Sequence, residues 1–420
     1  SDRQYYRIKG NLRTAVAVYN PWKEENDTFV AYSRHFRTKG LSVPEVYKYD
    51  STQQLYLLED LGDETLLMRL ENKRQGATIP IEVLALYKKA LKDLAFLQIK
   101  GVEQLDITQY HQPASFGLQA MQWDLQYFKY CYLKPSKIIF DENLLEQDFR
   151  VLTKYLGREQ YDYFMFRDFQ SRNIMVQGQS IAFIDYQGGK WGPLQYDVVS
   201  LLFQAKANLS PTVRADLLDY YMQQVAQYIP LDQKQFKASY YGFVLIRTLQ
   251  VLGAYGFKGL YQRKEHFIES IPFALKNLEW LLQEVDFPFQ APHLFDVLKS
   301  LVQQAGSFQL KYQSTAKQLT IRVKSFSYKK GIPQDPSGNG GGFVFDCRFI
   351  HNPGRYEPYK KLTGRDAAVI QFFKEKSSID AFVEQCKNMI DQAVQTYIDR
   401  GFAHLCINFG CTGGQHRSVY

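Results

Sequence analysis

Apolar and polar residues alternate with a period of two over residues 1–10 (SDRQYYRIKG) and 14–20 (TAVAVYN), which predicts two half-buried antiparallel strands. The period then lengthens. Between residues 24 and 40, Phe29, Tyr32 and Phe36 recur on one side of a helix that Gly40 stops. Residues 43–46 and 54–59 predict two further strands, which end in the acidic run Glu59-Asp60-Leu61-Gly62. From Thr65 onward helical spacing dominates, and residues 81–100 place Leu84, Tyr87, Leu91, Leu94 and Phe96 on a buried stripe. Residues 116–134 form a strongly aromatic helix (Trp123, Tyr127, Phe128, Tyr130) whose rings are expected to pack against the candidate catalytic loop within residues 163–187, with an aromatic platform for a sugar ring as the alternative. The most apolar run, residues 242–257, is too short to span a bilayer and carries Arg247, so it predicts a buried helix. Helices continue to about residue 282 and again over 292–304. Residues 305–318 turn small and polar and are read as a linker. Strands at 319–326, 343–346 and 403–409, a loop at 333–342 (PQDPSGNGGG) and an amphipathic helix at 379–400 complete a second unit.

Charge sharpens this division. The chain of 420 residues carries a net charge of +8, yet residues 308–420 hold 16 Lys and Arg against 9 Asp and Glu, nearly all of the excess. That asymmetry points to a separate module with an anionic partner: nucleic acid, a phosphorylated metabolite or an acidic surface. The five cysteines form no C-x-x-C pair and no zinc spacing, as expected of thiols in a reducing cytosol, and no membrane span or signal peptide is visible. The expected location is cytoplasmic.

The candidate chemistry lies in residues 163–187, YFMFRDFQSRNIMVQGQSIAFIDYQ. Short apolar strands deliver Arg167-Asp168, then Asn173 five positions on, then Asp185 twelve further. In this spacing Asp168 is the base that takes a proton from an acceptor hydroxyl. Asn173 and Asp185 supply oxygens that hold Mg²⁺ against ATP phosphates. The block resembles aminoglycoside phosphotransferase-like small-molecule kinases, and among them the bacterial cell-wall amino-sugar kinases that share the R-D-F-x-S-R-N-x-M form of residues 167–175. The resemblance implies an α+β protein-kinase-like two-lobed domain with adenine held by backbone near Glu59 and Leu61. It also implies that Ser1, Asp2 and Arg3 are the tail of a nucleotide loop, so the chain is expected to begin inside that motif. Two departures stand out. The strand AVAVYN lacks the phosphate lysine of many kinases, which leaves Arg3, Arg7 or backbone amides for that contact. Phe166 also occupies the place of a histidine that usually braces the loop. Asp197, downstream in Tyr196-Asp197, is read as a structural helix cap.

A second anion-binding pattern closes the chain. Cys411, Thr412, Gly413, Gly414, His416, Arg417 and Ser418 reproduce the C-x5-R-S loop of cysteine phosphatases, in which backbone amides and an arginine converge on one phosphate. The longer string G-C-T-G-G-Q-H-R-S-V resembles the C-terminal domain of RapZ-type RNase adapter proteins. The likeness extends back through 325–329, 345–349, 352–353 and 362–364. Family members usually carry lysine in place of Gln415, and the chain is expected to stop inside this motif. The resemblance implies binding of small RNA or of a phosphorylated amino sugar. Lys324, Lys329 and Arg348, interleaved with Tyr328, are candidate contacts. A phosphatase would also need an acid, for which Asp335 and Asp366 are candidates.

The expected organisation is a kinase-like N-terminal lobe over 1–60, a helical lobe over 61–304, a linker over 305–318 and a smaller α/β domain with a phosphate-binding loop over 319–420. The expected activity is ATP- and Mg²⁺-dependent transfer to a hydroxyl of a sugar-like substrate. The alternatives are a non-catalytic nucleotide- and RNA-binding regulator and a Cys411-dependent phosphatase.

Overall fold

In the computed structural model, which describes residues 3–11, 13–74, 76, 78–109, 114–313, 319–334, 342–399 and 402–420, the alternating N-terminal runs become a four-stranded antiparallel sheet. Its strands β1 (Gln4–Lys9), β2 (Thr14–Tyr19), β3 (Val46–Asp50) and β4 (Leu55–Glu59) take the order β1-β2-β4-β3. Strand β3 starts where the predicted 43–46 strand ends. Pro44 has no N–H to give a ladder, so pairing begins after it, at Val46 opposite Leu58. Helix α1 (Lys23–Thr38) meets the sheet through Phe29, stacked on Tyr56 of β4, while Tyr32 and Phe36 pack on Phe164, all nearly or fully buried.

The helical lobe follows with α2 (Leu66–Lys73), α3 (Ile81–Ile99), α4 (Leu118–Phe128) and α5 (Glu142–Leu156). Tyr87, Leu91 and Leu94 of α3 are fully buried, whereas Leu84 and Phe96 lie at the edge of the core. The aromatic helix differs more from expectation. Phe116, Phe128 and Tyr132 are buried, but Trp123 and Tyr130 are both 56% exposed, and a π-helical turn at Lys129–Leu133 extends α4. Strands β5 (Tyr163–Met165), β6 (Ile174–Gln177), β7 (Ser180–Phe183) and β8 (Lys190–Gly192) form two short pairs, β5 with β8 and β6 with β7. Helices α6 (Leu194–Leu202), α7 (Pro211–Val225), α8 (Gln233–Tyr255), α9 (Glu265–Ile268) and α10 (Ile271–Glu284) complete the lobe. Among the described residues, no helix is long and apolar enough to cross a membrane.

Helix α11 (Pro292–Gln313) runs past residue 304 into the stretch expected as a linker. Gly306 is the only strong breaker there, and one glycine costs a helix only about 1 kcal/mol. Residues 314–318 of that stretch lie outside the described residues. The chain divides into two compact units, Ser1–Ser307 and Phe308–Tyr420. In the second, β9 (Thr320–Ser327), β10 (Phe343–Asp346) and β11 (His404–Cys411) form a parallel sheet in the order β10-β11-β9, with α12 (Ala367–Lys376) and α13 (Ile379–Asp399) in the connection. All five cysteines are free thiols.

Candidate active site and anion loop

The loop between β5 and β6 is bent where the candidate base sits. Arg167 adopts φ 75° and Asp185, after β7, adopts φ 70°, so both motif residues occupy the left-handed region. Each such conformation costs on the order of 1–3 kcal/mol and persists only where its surroundings fix it. Asp197 supplies one restraint. It lies inside α6, whose cap is Pro193, so it is not the cap expected from sequence. Its carboxylate instead accepts the backbone N–H of Phe166 at 2.6 Å and of Arg167 at 2.9 Å. Burial pushes the Asp197 carboxyl up to about 7, against the opposing pull of those two amides and of Arg247. Phe166 braces the loop differently from a histidine: its buried ring packs edge-on against Phe169, Phe183 and Tyr186. Tyr186, beside Asp185, is pinned in turn by a 2.6 Å hydrogen bond with Ser33 of α1.

These restraints bring Asp168, Asn173 and Asp185 together. Asn173 Nδ2 donates to the Asp168 carbonyl at 2.8 Å and to Asp185 Oδ2 at 3.4 Å, so its Oδ1 is the atom that could hold a metal. Asp185 Oδ1 accepts from Gln187 at 2.7 Å and from Arg3 at 3.5 Å. Arg3 also pairs with Glu25 of α1 at 2.8 Å. The cleft, about 590 Å³, is lined by Arg3, Trp22, Arg167, Asp168, Asp185 and Lys258 among others. Arg7 is not in it. Its guanidinium is engaged by Asp60 and Asp63 at 2.7 and 2.8 Å. Ser1 and Asp2 lie outside the described residues.

The Asp168 carboxylate accepts from Arg247 Nη2 of α8 at 3.0 Å. Burial raises its proton affinity, but Arg247, Arg172 and Arg167 outweigh burial and hold the carboxyl below its usual range. Asp124 of α4 sits 3.8 Å from Arg167, so α4 meets the loop through a carboxylate rather than through its rings. At the hinge, Leu61 packs with Met175, Ala182 and Ile184 in an apolar patch separate from the main core. The Glu59 side chain accepts the Glu45 amide at 3.1 Å and Arg37 at 3.3 Å. Arg247, Asp124 and Lys258 were not singled out as site residues from sequence. The signal available for Arg247 was its position as a lone charge in an apolar helix.

In the second unit the loop after β11 closes on its own sulfur. Cys411 Sγ accepts the Gly414 amide at 3.2 Å and lies 3.1 Å from Ser418 Oγ, which meets Ser325 Oγ at 2.8 Å. Burial pushes the thiol up, but the Ser418 hydroxyl and the amides of Ser418, Gln415 and Gly414 outweigh it and hold Cys411 below the ordinary thiol value. Arg417 Nη1 donates to the carbonyls of Arg348 at 2.6 Å and Ile350 at 3.1 Å, and Nη2 to Thr412 Oγ1 at 3.2 Å. Gln415 reaches the carbonyls of Lys360 and Leu362, and His416 that of Tyr359. Thr412 and Gly413 remain exposed at the tip. Of the basic candidates, Lys324 is half-buried on β9 and Lys329 is exposed, while Arg348 is paired with Asp346 at 2.6 Å over the Tyr328 ring. Asp366 accepts the amide and hydroxyl of Thr363, and Asp335 lies outside the described residues.

Comparison with known proteins agrees with both units. The model of the phosphotransferase enzyme family matches residues 1–230, and that of the RapZ C-terminal domain matches residues 319–420. A nucleotide-binding protein of Cereibacter sphaeroides is 41% identical over 107 residues, 26% of this chain and 34% of its own length. One from Thermosipho africanus is 37% identical over 145 residues, 34% of this chain and 47% of its own. The chain thus spans between a third and a half of the length of these curated relatives. Among solved structures, an amicoumacin kinase in complex with AMP-PNP, Ca²⁺ and Ami aligns with TM-score 0.46 at 13% identity, over 70% of this chain and 90% of that one. Choline kinase LicA from Streptococcus pneumoniae aligns with TM-score 0.42 at 12% identity, over 66% and 89%.

Proposed function

Because the chain belongs to the phosphotransferase enzyme family and ends in a RapZ C-terminal domain, we propose that it transfers the γ-phosphoryl group of ATP to a hydroxyl of a sugar-like acceptor, an amino sugar of cell-wall metabolism. The observation that carries this reading is that Asp168 and Asp185 line one cleft and that Asn173 hydrogen-bonds to both residues behind it. Asp168 accepts the acceptor hydroxyl, orients it and takes its proton as the new bond to phosphorus forms. The apolar patch of Leu61, Met175, Ala182 and Ile184 at the end of β4 suits the faces of an adenine ring, with backbone groups near Glu59 and Leu61 for its edge. In this reading Arg3, 3.5 Å from Asp185, meets phosphate oxygens in the absence of a strand lysine.

The donor set fits Mg²⁺. One carboxylate and one carboxamide are what that ion takes from a protein when phosphates and water fill the rest of its octahedron. No group of three or more His, Cys, Asp or Glu suited to an all-protein metal cage occurs among the described residues. Bound there by Asn173 and Asp185, the ion would neutralise charge on the phosphate oxygens. The C-terminal unit is read as a binding module for a phosphorylated ligand or RNA, with Thr412, Gly413, Lys324 and Lys329 as its contacts. Arg417 and Cys411 support the loop's shape in this reading, and the phosphatase alternative loses its phosphate-gripping arginine.

The test is ATP consumption against a panel of hexosamines and N-acetylhexosamines, with Asp168→Ala and Asp185→Ala as controls. Sugar-dependent turnover that falls by about 10³-fold or more in both variants is expected. Nucleotide binding with no turnover on any sugar would replace the kinase by a nucleotide-binding regulator.

A further inference from the structure

We propose that Arg247 is a positioning residue for the transfer reaction, holding one oxygen of Asp168 so that the other faces the acceptor hydroxyl. The role rests on the reading of Asp168 as base. Arg247 is the one charge in residues 242–252 of α8, where Phe243, Val244, Leu245, Ile246, Leu249 and Leu252 are all fully buried. Placing a guanidinium there is costly unless a counter-charge and hydrogen bonds compensate it. The compensation is directional. Nη2 donates to Asp168 Oδ1, Nη1 donates to Gln250 one turn along the same helix, and the guanidinium carbon lies 5.6 Å from the centre of the buried Tyr196 ring.

The pair is lopsided. The Arg247 side chain is 7% exposed and that of Asp168 is 46% exposed, so a fixed cation in the core grips an anion that opens into the cleft. Among the described residues, Arg247 is the only side chain hydrogen-bonded to the Asp168 carboxylate. Without it, the carboxylate would turn freely on a loop whose backbone is already bent at Arg167. A misplacement of about 1 Å between reacting groups costs on the order of 100-fold in rate.

The experiment compares the full chain with Arg247→Met, Arg247→Lys, Asp168→Asn and the Asp168→Asn/Arg247→Met pair, using the best acceptor of the sugar panel. Arg247→Met is expected to lower kcat about 100-fold with the KM for ATP changed less than about threefold, and Arg247→Lys to recover about tenfold of that loss. With the base already removed by Asp168→Asn, adding Arg247→Met is expected to cost less than about threefold, because the two residues act as a unit. Equal losses in both backgrounds, or full kcat in Arg247→Met, would overturn the role and leave a purely structural arginine. Should Arg247→Met fail to fold, Arg247→Lys in the same two backgrounds gives the same comparison. Wild-type protein that transfers phosphate to no sugar and to no water would remove the base reading itself, and the positioning role with it.

Discussion

The molecule handles anion chemistry with two loops built on opposite plans. The loop that carries Asp168 is held from outside: Asp197 grips its amides, Arg247 grips its carboxylate and Tyr186 fixes the neighbouring turn. Its own charged groups are therefore left to face a cleft. The loop from Cys411 to Ser418 does its own holding, through its side chains and amides. Its amides bind its own sulfur, and its arginine, glutamine and histidine clamp the carbonyls of residues 348–362. The same residue types thus face a cleft in one place and serve architecture in the other, and the difference is in who satisfies whom. A motif supplies candidates; their partners decide the role.

The comparison can be broken first at Asp197. Asp197→Ala would leave the buried amides of Phe166 and Arg167 unpaired and release the bend at Arg167. A loss of about 3–5 kcal/mol in urea unfolding is expected, at about 1–3 kcal/mol per unsatisfied group. A loss under about 1 kcal/mol would mean the loop does not depend on outside support. The carboxyl also has a pH signature. Its folded value of about 7 exceeds the unfolded value near 4, so the folded protein takes up a proton between them. The stabilisation is present below about pH 4 and is lost as pH rises through 7. Asp197→Asn should flatten that part of the stability profile, measured by urea midpoints from pH 4 to 7.5.

A smaller effect is expected on the self-supported side. Arg417→Met removes the hydrogen bonds to the carbonyls of Arg348 and Ile350, worth about 3 kcal/mol together at the lower bound for bonds from a charged group. Amide hydrogen exchange should accelerate within residues 345–362 and stay unchanged around Asp168. Unchanged exchange in 345–362 would show that Arg417 does not carry this loop, and would free it for a ligand.

Much of the kinase-like unit was legible because its signals are local. Asp168, Asn173 and Asp185 are spaced by short strands whose apolar runs are plain, and the alternation of β1 and β2 was read to within a few residues. The rest depended on partners far away in the chain. Nothing near Arg247 announces Asp168, 79 positions earlier, and nothing near Asp197 says that it serves two amides rather than its own helix. Arg7 was one of three options for a phosphate contact, and its pairing with the hinge acids Asp60 and Asp63 is equally distant in sequence. At Cys411 to Ser418 the residue pattern predicted converging amides, and they do converge, but on sulfur. The direction in which Arg417 points is a tertiary property that no spacing encodes.

The smallest expected effect tests that last arrangement. The Cys411 thiol lies below its ordinary value because Ser418 and three amides favour the thiolate over the cost of burial. A depressed folded value means the folded protein has released the proton while the unfolded chain still holds it. The stabilisation is therefore fully present above the unfolded thiol value, near 8.5, and is lost as pH falls through the folded one. Ser418→Ala removes the hydroxyl at 3.1 Å and weakens the preference for thiolate. The stability gap between wild type and Ser418→Ala should then widen by about 1 kcal/mol as pH rises from 7 to 9, which urea midpoints at each pH would resolve. A gap that stays flat would mean the sulfur is a neutral thiol that accepts weak hydrogen bonds. The amides of Gly414 and Gln415 would then be held only loosely, and an incoming phosphate could take them from the sulfur, turning an inward-facing loop into one as open to anions as the cleft around Asp168.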